Sequence, residues 1–104
     1  MNAGQIKALH HSFRETVTFA RIHHLTGPGD ASAFLEHATI NNEPGLFVGQ
    51  LLSLVRMAYQ APGNIPFADW LEEVREASVD SEDRALEIAQ FEAMLPTDKN
   101  EEEQ

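Results

Sequence analysis

The chain has no cysteine among its 104 residues, so disulfides, thiolate metal sites and thiol nucleophiles are all excluded. Positive charge is scarce: seven lysines and arginines stand against seventeen acids, a net charge of −10. Such a field repels nucleic acid phosphates and anionic lipid heads and attracts basic partners. Long apolar runs are missing too. The most apolar stretch, 46–59 (LFVGQLLSLVRMAY), is broken by Gln50, Ser53 and Arg56, well short of the roughly 20 residues a spanning helix needs. Near the N-terminus Lys7, His10, His11, Arg14 and Glu15 interrupt any signal-peptide core. A cytoplasmic protein without membrane association is expected. Neither a glycine-flanked serine nucleophile nor a glycine-rich phosphate loop is present. The expectation is therefore a protein without catalytic activity, cofactor or metal.

What is present is helical periodicity. An apolar content of 42% in a chain of this length supports one core and excludes a wholly disordered chain. The reading is all-α: a compact bundle of about five short helices in a single domain over 1–95, followed by an acidic tail, 96–104, expected to be flexible. In the first segment Ile6, Leu9, Phe13, Val17 and Ala20 recur at steps of three or four and fall within a sector roughly 80° wide. Phe19 and Ile22 project from another side, so this helix is either buried on two sides or meets something outside the domain. Thr26, Gly27, Pro28 and Gly29 end it.

Asp30 suits the N-cap of a second helix with a stripe of Ala31, Phe34, Leu35 and Ala38. Beyond a turn cluster at 41–45, the 46–59 segment is apolar nearly all round and reads as the central helix on which the others pack. Two prolines and a glycine mark a break at 61–66. A fourth helix then opens at Pro66, its apolar face of Phe67, Trp70, Leu71, Val74 and Ala77 opposed by Asp69, Glu72, Glu73 and Glu76. Residues 78–83 hold good caps in Asp80 and Ser81 and read as a turn before a fifth helix over 82–95, on which Phe91 and Met94 stand apart from the other apolar residues.

Charge is distributed unevenly along this frame. Residues 1–29 hold Lys7, Arg14 and Arg21 against Glu15 alone, whereas 66–104 hold thirteen acids against Arg75, Arg84 and Lys99. The seven-residue spacing of the three cations puts them on one stripe, which faces either the acidic helix of the same chain or that of a second subunit. Three charges without interleaved aromatics make a poor nucleic acid surface, and direct nucleic acid binding is not expected.

Two alternatives compete with a plain interaction module. Histidines supply the first, a metalloprotein drawing on His10, His11, His23, His24 and His37. Adjacent histidines point about 100° apart, and only His11 with Glu15 has the one-turn spacing of a chelating pair. The second is an acidic inhibitor that mimics nucleic acid, of the kind found in mobile elements, with Asp69, Glu72, Glu73, Glu76, Asp80, Glu82, Asp83 and Glu87 imitating phosphates. The favoured expectation is a small acidic interaction or regulatory protein. It binds a protein partner of basic character, a second copy of itself, or both, through Lys7, Arg14, Arg21, Phe19, Ile22, Asp69, Glu72, Glu73 and Glu76.

Overall fold

A computed structural model describes residues 2–61 and 63–95. Among them are four α-helices, α1 (Ala3–Thr26), α2 (Pro28–Glu36), α3 (Pro44–Tyr59) and α4 (Phe67–Met94), with a 3-10 turn at Thr39–Asn42 and no strand. The all-α reading holds. The acidic tail, 96–104, lies outside the described residues.

Local chemistry explains where these helices start and stop. Asn2 and Gln5 form a capping box at the head of α1: the Asn2 side chain accepts from the Gln5 N–H at 2.8 Å, and Gln5 Oε1 accepts from the Asn2 N–H at 2.9 Å. At the other end Gly27 has φ of 109°, a value other residues reach only with strain. Its N–H donates to the carbonyls of His23 and Ile22, while its own carbonyl accepts from Ala31. One glycine thus closes α1 and opens α2, with Pro28 in the first turn. The second helix therefore begins before Asp30, which sits inside its first turn, not at its N-cap.

α2 runs back along α1 with Ala31 fully buried, and the 3-10 turn is pinned by a residue far from it in sequence. Both carboxylate oxygens of Glu15 accept backbone N–H groups, from Thr39 and from Ile40, each at 2.9 Å. This charge-assisted cap satisfies the donors that a short turn leaves unpaired. It also holds Ile40 in a fully buried position against α1.

The 46–59 segment is helical but not central. Val48, Leu52, Val55 and Tyr59 are 54%, 61%, 63% and 92% exposed, and only Gln50 and Leu54 of α3 are buried. The central element is α1, which touches every other element, whereas the backbones of α3 and α4 nowhere approach within 8 Å, Cα to Cα. The main core is built from Val17 of α1, Leu54 of α3 and Trp70, Leu71 and Val74 of α4, with Phe13, Ala20, Ala58, Ala61 and Ile65 packed around it. On its α3 side α1 presents small polar residues, Ser12 and Thr16, both buried. The Thr16 hydroxyl lies 2.8 Å from Gln50 Oε1 and 3.0 Å from the Ser12 carbonyl, so the crossing of α1 and α3 is closed by a buried polar contact.

The two expected C-terminal helices are one. No turn forms at 78–83, because that stretch contains neither glycine nor proline and its serines and acids are compatible with helix. Ser78 and Glu82 instead continue the row of Leu71 and Val74 toward α1. Nor is the bundle compact in all directions: the chain measures 18 Å along its shortest axis, the thickness of about two packed helices.

Candidate functional site

The separation of α3 from α4 leaves an open groove of about 630 Å³, floored by α1. Leu9, His10 and Phe13 come from α1, Gln50, Ser53 and Met57 from α3, and Trp70, Glu73, Val74, Ala77, Ser78 and Ser81 from α4. Each is placed by helical periodicity. On α4 the groove residues follow steps of three and four from Trp70 to Ser81, and Ile88 and Leu95 continue the same face, exposed, toward the end of the helix. Trp70 is buried beside the groove, its indole stacked on Phe67 at 5.9 Å, and Phe67 in turn meets the His24 ring edge-on at 5.0 Å.

The polar groups of the groove are few and each is distinct. His10 Nδ1 lies 2.9 Å from the Ile6 carbonyl. Ser78 is 6% exposed, and its hydroxyl has no hydrogen-bond partner among the described residues. A buried hydroxyl without a partner costs about 1–3 kcal/mol. No hydrogen bond links a histidine to a serine or an acid to a histidine within the groove among the described residues.

The α4 edge of the groove is acidic at Glu73, from which a ridge of acids passes onto the outer face of the helix, where Glu72 lies 3.5 Å from Arg75. Because α4 is unbroken, Asp69, Glu72, Glu73, Glu76, Asp80, Asp83 and Glu87 fall on one side of it, within about 100° around the helix and about 27 Å along it. Glu73 belongs to both the ridge and the groove. The eighth acid of the sequence reading, Glu82, points instead toward α1, where its carboxylate lies 2.7 Å from Arg14 in an ion contact that is not an aligned hydrogen bond.

That contact places one member of the basic stripe against α4. Arg14 faces Glu82, Arg21 Nε donates to the Ala68 carbonyl at 3.3 Å, and Lys7 borders a shallow surface hollow with Leu86, Glu87 and Gln90. All three cations flank the antiparallel seam between α1 and α4, and two of them, Arg14 and Arg21, contact α4 within the chain. Phe19 and Ile22 are half-buried on the far sides of α1; the Phe19 ring meets Phe47 of α3 edge-on at 5.3 Å. The nine residues expected to bind a partner do not form one surface: Asp69, Glu72, Glu73 and Glu76 lie together on α4, whereas Arg14, Arg21 and Phe19 contact α4 or α3 and Lys7 is exposed beside the seam.

The histidines are not brought together. His11 lies 3.3 Å from Glu15, whose two oxygens already accept backbone N–H groups, and His23 packs near Phe19. No group of three or more histidines or acids suited to a metal ion occurs among the described residues. No protein-family model, curated protein or solved structure matches the chain.

Sequence reasoning missed the groove and the Glu15 cap. The signal for the groove was the continuation of the apolar row of α4 through Ala77 and Ser81 to Ile88 at helical spacing. For the cap there was none, since Glu15 and Ile40 are joined only by the fold.

Proposed function

We propose that this chain is a non-catalytic interaction module of the cytoplasm that receives an amphipathic, basic helix of a protein partner in the groove between α1, α3 and α4. The single observation that carries this reading is the juxtaposition of an apolar groove with an acid ridge along one edge, Glu73 being common to both. A helix laid into such a groove buries its apolar side on Phe13, Met57, Trp70 and Ala77, and its lysines and arginines meet Asp69, Glu76 and Asp80. No helix of the described residues is long and apolar enough to cross a membrane, in keeping with this assignment.

Capture of partners from lysate by the tagged chain, with cross-links mapped by mass spectrometry, tests the reading. Cross-links from the partner should map to the α4 ridge and the groove, and Ala77→Glu should abolish capture while leaving the circular dichroism spectrum unchanged. Capture that survives Ala77→Glu would remove the groove as the site.

The unbroken ridge also supports a second reading, in which seven acids on one helix face imitate a phosphate backbone and occupy a nucleic acid binding protein's basic groove. Here Ala77→Glu leaves binding intact and replacement of Asp69, Glu76 and Asp80 by asparagine or glutamine removes it.

A further inference from the structure

The outward face of α3 is independent of the groove. Val48, Leu52, Val55 and Tyr59 lie at successive steps of four, three and four, exposed throughout, and fall within about 60° of one another around the helix. From Pro44 to Ala68 the chain contains no acid and a single charge, Arg56, although the molecule as a whole carries −10. Gly45 and Gly49 flank the stripe one turn apart, and a Cβ at either would meet nothing within 4 Å. Nothing among the described residues therefore calls for a glycine at position 49, in the second turn of α3, where it weakens the helix.

We infer that this face is where two copies of the chain associate, through antiparallel α3 helices related by a twofold axis between Leu52 and Val55. Charge selects the occupant. Two molecules of net charge −10 repel wherever their acidic surfaces approach, and α3 is the apolar surface on which a second copy brings no acid against an acid. The geometry is self-complementary: Leu52 of one copy meets Val55 of the other, and the ring of Tyr59 packs over Val48 and the recess left by Gly45 and Gly49. The exposed parts of the four side chains with the helix surface between them come to roughly 500 Å² per copy, so the pair buries on the order of 1,000 Å², the lower bound for a specific interface.

Sedimentation of the full chain across a concentration series tests this. The expected mass is twice 11.6 kDa at about 100 μM, falling toward the monomer on dilution. Leu52→Glu places two carboxylates across the axis and weakens association by about 100-fold or more, and because Leu52 is exposed within the chain the helical signal stays at the wild-type value. Tyr59→Ala weakens it by about tenfold or more. Ile88→Glu and Ala77→Glu, both off this face, leave the dimer unchanged, which separates its failure from a failure of the groove. Raising salt from about 0.05 M to about 0.5 M tightens the dimer, because it screens repulsion between acidic bodies held by an apolar contact. A wild-type monomer at about 100 μM, a dimer that persists in Leu52→Glu, or a dimer that dissociates as salt rises would each overturn the proposal.

Discussion

α1 and α3 invert a common assumption about which helix lies at the centre of a small domain. α3 is the more apolar of the two, yet its outer half faces water; α1 carries Lys7, Arg14, Arg21 and four histidines, yet every other element packs on it. The difference lies in what each helix offers its neighbours. α1 has separate surfaces for separate partners: Phe13 and Val17 for α4, Ser12 and Thr16 for α3, and Glu15 for the turn after α2. α3 has one inner surface around Gln50 and Leu54 and an outer one with no partner among the described residues. Hydrophobicity measures what gains by leaving water; position in the fold depends on how many different neighbours a helix can satisfy.

The comparison can be broken or sharpened by substitution, and the largest effect belongs at the α1–α4 seam. Leu71→Ala removes a fully buried side chain from the core around Val17 and should cost about 2–5 kcal/mol in urea unfolding. Leu54→Ala, the one large apolar residue of α3 in the same cluster, should fall at the lower end of that range. Thr16→Val leaves the Gln50 amide buried at the α1–α3 crossing without its donor, for a loss of about 1–3 kcal/mol. Glu15→Gln keeps one acceptor oxygen and turns an amide NH2 toward the other of the Thr39 and Ile40 N–H groups, and should cost about 1–3 kcal/mol. Arg14→Met breaks the ion contact with Glu82 at a partly exposed site, and a change of about 1 kcal/mol or less is expected. Smallest of all, Leu52→Ala in dilute, monomeric protein should shift stability by no more than about 0.5 kcal/mol.

The helices were largely legible in the sequence because their signals are local. The stripe from Ile6 to Ala20, the Gly27–Pro28 junction and the break at 61–66 each follow from spacing or backbone chemistry that neighbouring residues decide. Where the reading went astray, the deciding partner was distant. Asp80 and Ser81 are good caps, but a cap permits a helix to start and does not forbid one from continuing; the row through Val74, Ser78 and Glu82 continues because α1 lies beneath it. An all-round apolar helix is equally consistent with burial inside one chain and with a face reserved for a second, and no local pattern separates the two. The seven-residue spacing of Lys7, Arg14 and Arg21 put the three on one stripe, and in the fold that stripe runs beside the α1–α4 seam, where Arg14 meets Glu82.

The candidate site was less legible than the fold. Its acid ridge could be read residue by residue, but its continuity depended on the missing turn at 78–83. The groove needed three helices in place before Leu9, Met57 and Ser78 became neighbours. Ser78 illustrates the limit: in sequence it marked the edge of a turn, and in the fold it is a buried hydroxyl beside an open groove.

The absence of cysteine makes the most direct test of the two helices simple, since any thiol introduced is the only one present. Leu52→Cys on the outer face of α3 and Val17→Cys on α1 are each labelled with a thiol reagent in dilute, folded protein and again in denaturant. The expected result is that Leu52→Cys reacts nearly as fast folded as unfolded, while Val17→Cys is slowed by on the order of a thousandfold or more, as its label must wait for unfolding. A thiol at position 52 that is protected in the dilute monomer, or one at position 17 that reacts freely, would contradict the placement of α1 at the centre and α3 at the edge.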